Sequence, residues 1–214
     1  MAEPHYPLLT LSRLRMGIDG KGVTTLIGGA GCPLSCRWCI NQRLLREGKP
    51  TPVTPSELVE QLRIDDLYFR ATGGGVCFGG GESLLHGDFL RAFRSVAPAD
   101  WRVTLETSLA VPEASVRLGA ENADSFIVDC KSMDREVYRR YTGGDGALME
   151  ENLVLLLSLV GPERIRVRVP LIPAYNDPDL QRQSADRLQA LGFPSSCLDL
   201  FSYVIRENHS TESR

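Results

Sequence analysis

Several things are scarce or missing in this chain of 214 residues, and each absence removes a class of function. No apolar run approaches the roughly 20 residues that a membrane-crossing helix needs, so a membrane role is not expected. The amino terminus shows no basic stretch followed by an apolar one, so no secretory leader is expected. Charge of one sign is not in excess: 24 Lys and Arg against 27 Asp and Glu give a net −3. That balance offers no electrostatic case for nucleic acid or an anionic surface as the main partner. Low-complexity tracts and internal repeats are also missing. Only six cysteines occur, three of them crowded into one short segment. Such crowding argues against a disulfide framework and for a reducing compartment, with the cytoplasm as the expected location. Histidines number three, His5, His86 and His209, and none lies near those cysteines.

What is present begins with Gly31-Cys32-Pro33-Leu34-Ser35-Cys36-Arg37-Trp38-Cys39, a C-x3-C-x2-C array. Thiolate sulfurs are soft ligands that select zinc, copper(I) or iron–sulfur clusters. Three of them within eight residues can take three corners of one metal assembly, and the next cysteine, Cys77, is distant in sequence. Structural zinc is normally closed by four ligands. A four-iron–four-sulfur cluster held by three cysteines leaves one iron open, and an open position is what chemistry requires. On spacing alone, a zinc knot or unconnected thiols stay as alternatives.

A second motif follows the apolar run Val76-Cys77-Phe78, which reads as a buried strand running into the turn Gly79-Gly80-Gly81-Glu82-Ser83. Glycine lets a backbone approach a ligand closely, and Glu82 could accept hydrogen bonds from a cationic amine. A plain strand-to-helix connection is the simpler alternative.

The rest of the chain alternates strands and helices. Strands are expected at 23–27, 76–78, 102–106, 125–129, 164–170 and 198–204, with helices at 55–68, 84–96, 112–119, 134–141, 150–159 and 178–191. Alternation of this kind implies parallel βαβ units and an α/β fold. One domain over 1–214 suits the length, with 1–12 expected as a flexible arm and 205–214 as a polar tail. In parallel sheets the ligand sits at the carboxyl ends of the strands, where the cysteine segment, the glycine turn, Glu106, Asp129 and Lys131 all fall. Asp129 and Lys131 are two apart on one strand and share a face; a carboxylate suits ribose hydroxyls and an ammonium suits a carboxylate. A charged rim is the alternative for that pair. Glu106 could hold a cation or a ligand, or be a solvated strand-end charge. Cys77, Cys130 and Cys197 lie in or beside apolar strands and read as small buried hydrophobes.

The cysteine array with Trp38 before its last cysteine resembles the signature of the radical S-adenosylmethionine (SAM) superfamily. That resemblance implies an open (β/α)6 partial TIM barrel with a parallel sheet. It implies a 4Fe-4S cluster on Cys32, Cys36 and Cys39 whose open iron takes SAM, and reductive cleavage of SAM to methionine and a 5′-deoxyadenosyl radical. It places the SAM amino group on Gly79, Gly80, Gly81 and Glu82, adenine on Trp38, and the remaining SAM contacts on Glu106, Asp129 and Lys131. Within the superfamily the chain is most similar to the activating enzymes of glycyl radical enzymes, pyruvate formate-lyase activating enzyme among them. The segments that carry this likeness are Asp19-Gly20-Lys21-Gly22, Cys39-Ile40-Asn41, Leu105-Glu106-Thr107-Ser108, Asp129-Cys130-Lys131 and Val167-Arg168-Val169-Pro170-Leu171-Ile172-Pro173.

Two departures stand out. The family's last strand leads into a Tyr-His pair, where this chain reads Ser202-Tyr203-Val204. The chain also stops soon after that strand. The resemblance implies a glycyl radical enzyme, or its glycine loop, as substrate, a flavodoxin- or ferredoxin-like electron donor, and action as a monomer. A radical SAM enzyme for a small molecule or modified peptide, such as a deazapurine synthase or peptide maturase, is the alternative. An iron–sulfur electron carrier would leave Glu82 and the glycines without a task.

Overall fold

The computed structural model describes residues 3–205. The strands are β1 (Tyr6–Met16), β2 (Val23–Gly29), β3 (Thr51–Val53), β4 (Gly75–Gly80), β5 (Arg102–Thr107), β6 (Ser125–Asp129), β7 (Ile165–Leu171) and β8 (Leu198–Ser202). The helices are α1 (Gln42–Glu47), α2 (Pro55–Leu62), α3 (Asp66–Thr72), α4 (Gly87–Val96), α5 (Glu113–Asn122), α6 (Arg135–Thr142), α7 (Gly146–Val160) and α8 (Pro178–Ala190). All eight strands form one sheet in the order β3-β1-β2-β4-β5-β6-β7-β8. From β2 to β8 the pairing is parallel throughout, which gives the six expected parallel strands of a partial TIM barrel.

Each strand sorts its side chains by alternation. Val76, Phe78, Val103, Leu105, Phe126, Val128, Val167 and Val169 enter the core beneath the helices. The intervening residues Cys77, Glu106, Asp129 and Arg168 share the opposite, concave face, where Arg168 reaches both carboxylates. Helix starts follow their local chemistry. Thr54 and Glu57 make a reciprocal capping box at α2, and Asp134 accepts from the Val137 amide at α6.

One expectation is corrected. Residues 6–12 are not an arm: they belong to β1, which pairs antiparallel with both β2 and β3. Tyr6 is fully buried and anchors the strand's start. The polar tail expected at 205–214 lies, apart from Ile205, outside the described residues. Among the described residues no helix is long and apolar enough to cross a membrane.

Candidate active site

The cysteine loop leaves β2 at the carboxyl end of the parallel sheet and is tied down on three sides. The first tie is to the turn after β4. The Gly81 amide donates to the Gly29 carbonyl (3.1 Å), the Glu82 amide to the Gly31 carbonyl (2.8 Å), and Asn41 Nδ2 to the Gly80 carbonyl (2.9 Å). The second is to the end of α6. The Ser35 and Arg37 amides, on either side of Cys36, donate to the carbonyls of Thr142 (2.9 Å) and Tyr141 (3.0 Å). Those carbonyls belong to the last turn of a helix and have no intrahelical partner. The third tie comes from beyond β8, where the Tyr203 hydroxyl donates to the Trp38 carbonyl. Tyr203 stands where the expected Tyr-His pair would begin and ties this side of the loop to the end of β8.

The glycine turn needs its glycines because of neighbouring backbone. Gly80 has φ +85°, and a Cβ there would sit 2.9 Å from the Gly28 Cα; one at Gly81 would collide with the Gly31 carbonyl oxygen. At Gly79 a Cβ would lie 2.6 Å from a Glu106 carboxylate oxygen. The turn and the cysteine loop are therefore pressed together as one floor.

Glu82 is 2% exposed, and its carboxylate is fully used by the protein. Oε1 accepts from the Leu84 amide (3.1 Å) and Thr107 Oγ1 (2.6 Å). Oε2 accepts from the Ser108 amide (2.8 Å) and Ser108 Oγ (2.6 Å). Four donors fill the four lone-pair sites of a carboxylate. Burial pushes its pKa up, against the pull of these four bonds. Through these bonds Glu82 fastens the β4 turn to the loop after β5. Ser83 Oγ adds a parallel tie to the Glu106 carbonyl (2.9 Å).

The concave face carries a row of charges. Lys131 Nζ pairs with Asp129 at 2.9 Å, Arg168 pairs with Glu106, and Arg168 also lies 3.9 Å from Asp129. Burial lowers the Lys131 pKa, but Asp129, by its charge and its hydrogen bond, outweighs that and holds the ammonium charged. Asp129, despite burial, is held below the usual carboxylate range by Lys131 and Arg168. Burial and the neighbouring Asp129 raise Glu106. Glu106 is thus a paired group with a guanidinium partner, not a solvated strand-end charge. Arg168 was legible in sequence only as one of the alternating basic residues of β7. Its second guanidinium contact, to the Ile18 carbonyl (2.6 Å), brings the loop of Asp19-Gly20-Lys21-Gly22 against the same face.

The three thiols are free of disulfides. Burial raises all three, Cys36 to about 12, while Lys131 pulls each the other way. The Leu34 amide favours a charged sulfur at Cys32, and the Asn41 amide does so at Cys39. Cys36 is within electrostatic range of both others. Among the described residues no three His, Cys, Asp or Glu side chains converge on a single-ion site. A soft donor set on one loop, under a fixed cation and without a fourth protein ligand, fits a cluster that takes its thiolates at separate corners. Cys77, within β4, and Cys130, just beyond β6, are fully buried small hydrophobes; Cys197 is half-buried and bonded to the Pro162 carbonyl.

Comparison with known proteins agrees with this geometry. The family model described as the radical SAM superfamily matches residues 26–183. The (2S)-3-sulfopropanediol dehydratase activating enzyme of Klebsiella oxytoca is 34% identical, over 87% of this chain and 78% of its own. The isethionate sulfite-lyase activating enzyme of Desulfovibrio desulfuricans is 32% identical over 69% of this chain, which spans about half (47%) of that relative. In fold, the crystal structure of QueE from Escherichia coli superposes with a TM-score of 0.58 at 14% identity, covering 96% of this chain and 86% of that one. The match over 26–183, joined to a relative at 34% identity, shows that the chain belongs to the radical SAM superfamily.

Proposed function

We propose that this protein activates a glycyl radical enzyme by abstracting a hydrogen atom from a backbone glycine of that partner. The superfamily's cofactors are a four-iron–four-sulfur cluster and SAM. When bound, the cluster supplies the electron that cleaves SAM, and the resulting radical takes the hydrogen atom. The residues of this chain then have separate tasks. Cys32, Cys36 and Cys39 hold the cluster. The Gly79–Gly81 turn would receive the SAM amino group, with Glu82 keeping that turn in place. Trp38 would offer a flat apolar surface to adenine, Asp129 would take the ribose hydroxyls, and Lys131 would pair with the methionine carboxylate. Glu106 acts through Arg168.

The observation that carries the activase reading is the open side of the barrel. The sheet ends at β8, whose outer edge is unpaired among the described residues, with Leu200 and Phe201 exposed along it. Tyr203, at the end of that strand, bonds the cysteine loop directly, so the open side runs up to the site. A protein loop can approach the site along that edge. The names of the two relatives support the same activity. A flavodoxin- or ferredoxin-like donor supplies the electron, and the protein works as a monomer in the cytoplasm.

The test uses a glycyl radical enzyme, or its glycine-loop peptide, deuterated at the glycine α-carbon. Deuterium should move into 5′-deoxyadenosine, and a carbon-centred doublet should appear on the partner by electron paramagnetic resonance. Deuterium arriving only from a small metabolite, with no protein radical, would overturn the activase reading and leave the radical SAM assignment intact.

A further inference from the structure

The concave face continues below the row of charges. Two residues before Glu106, Asp129 and Arg168, and on the same face, stand Thr104, Ile127 and Arg166. Two residues of strand span about 7 Å, so these three form a lower tier nearer the amino ends of the strands. They line a cavity of about 500 Å³, a volume typical of ligand pockets. It extends to the amino end of the sheet, since Arg102, the first residue of β5, and Ser125, the first of β6, also line it. The loop between β1 and β2 supplies one wall and is fixed at three points. Arg168 donates to the Ile18 carbonyl (2.6 Å), Asp19 is buried in an ion pair with Arg15, and a Cβ on Gly20 would lie 2.9 Å from Thr104 Oγ1.

The cavity is basic in a chain whose net charge is −3. Lys21, Arg102, Arg164 and Arg166 line it against a single carboxylate, Glu163. That carboxylate is turned onto Gly161, where a Cβ would meet both of its oxygens at 2.6 Å. Arg164 donates only to neutral carbonyls, those of Ala120 (3.5 Å), Ala123 and Asp124 (3.1 Å), which leave its charge unbalanced. Among the described residues Lys21, Arg102 and Arg166 form no ion pair, and their side chains form no hydrogen bond. The hydroxyls of Thr104 and Ser125 bond each other at 2.9 Å. Such a pair uses one hydroxyl hydrogen and leaves the other free to donate.

We infer that this cavity binds a small organic anion through its phosphate or carboxylate oxygens. Arg102, Arg166 and Lys21 come from β5, β7 and the β1–β2 loop, yet they share one concavity. A cleft lined by one sign of charge concentrates ions of the other, and guanidinium forks match the geometry of either oxyanion. The free hydroxyl hydrogen adds a neutral donor, and Ile18 and Ile127 give the carbon skeleton an apolar surface. The site lies below the SAM-facing row, and its occupancy needs neither cluster nor SAM.

Isothermal titration calorimetry of the full-length protein tests this, with glycerol 3-phosphate and citrate as probes and glycerol as the neutral control. One anion or both should bind saturably, the tighter one identifying the preferred oxyanion, and glycerol should not bind. Arg102→Gln and Arg166→Gln should each weaken binding roughly tenfold or more, and Lys21→Gln should weaken it from a separate element. Arg166 is exposed and Arg102 half-buried, so neither change removes a core contact; melting temperatures without probe check that each variant folds. Lys131→Gln locates the anion, because a ligand in the lower tier should keep its affinity in that variant. Failure of both anions to saturate at millimolar concentration would overturn the inference. Binding that survives all three lower substitutions would do the same, as would binding lost with Lys131→Gln, which would place the anion in the upper row.

Discussion

Replacing Glu82 with glutamine tests whether the site's floor is held together through one buried carboxylate. Glutamine keeps the shape but turns one acceptor oxygen into an NH2 group. Whichever way the amide is turned, its nitrogen meets one backbone N–H that cannot rotate away, that of Leu84 or that of Ser108. The hydroxyl on the same side, Thr107 or Ser108, can swing to accept instead. One buried donor is thus left unmade, at a cost of about 1–3 kcal/mol. Glutamine also removes a buried charge, and that saving moves the net loss toward about 1–2 kcal/mol. Alanine orphans both fixed N–H groups and should lose roughly 2–6 kcal/mol, less where water enters the gap. Urea unfolding of the protein without cofactors measures both, with stability expected in the order wild type, Glu82→Gln, Glu82→Ala. Glu82→Gln within about 0.5 kcal/mol of wild type, the range of an inconsequential surface change, would refute the reasoning. In that event the four bonds would not restrain the turn.

Two further predictions concern the cysteines. Cys32→Ala, Cys36→Ala and Cys39→Ala should each abolish the cluster after anaerobic reconstitution, whereas Cys77→Ala, Cys130→Ala and Cys197→Ala should leave iron content nearly unchanged; a requirement for any of the second three would contradict the three-ligand site. The buried thiols of Cys77 and Cys130 are raised by desolvation, Cys130 to about 12, above the roughly 8.5 of an unfolded chain. An acid whose folded pKa is raised contributes stability below its unfolded pKa and loses it as pH climbs toward the folded one. The cofactor-free protein should therefore weaken progressively above about pH 8.5, and Cys130→Ala should flatten that decline. An identical slope in the variant would show that the thiol ionises freely in the folded chain.

The parallel strands were legible because each is short and bounded by turn residues. Strand β1 was hidden by its own irregularity. Its alternation runs through Leu9 and Leu11, then resumes one residue out of phase at Leu14 and Met16. Register shifts fall between Leu8 and Thr10 and between Ser12 and Arg15, where Leu14 has φ +53°. A bulge of this kind inserts a residue and breaks the period on which a strand is recognised. Strand β3 has three residues with Pro52 at its centre, a composition that signals a loop and survives only at a sheet edge. In the site, sequence showed that Asp129 and Lys131 share a face but not that Glu106 pairs with Arg168. Glu106 and Arg168 are 62 residues apart, and their pairing depends on strand register. The glycines were read as room for a ligand, whereas the nearest atoms to Gly80 and Gly81 belong to β2 and the loop after it.

The grip of α6 on the cysteine loop also has a consequence in time. Ser35 and its partner Thr142 are 107 residues apart, and Trp38 and Tyr203 are 165 apart. A ribosome adding about 5–20 residues per second releases the cysteines roughly 5–20 s before it has made the helix that braces them, and the last brace comes later still. During that interval the three thiols belong to a nascent segment with no α6 to shape it. Insertion of iron and sulfide into a defined site must therefore follow synthesis of most of the chain. A protein shortened before Tyr203 should accept its cluster less securely than the full-length chain, even with every cysteine in place.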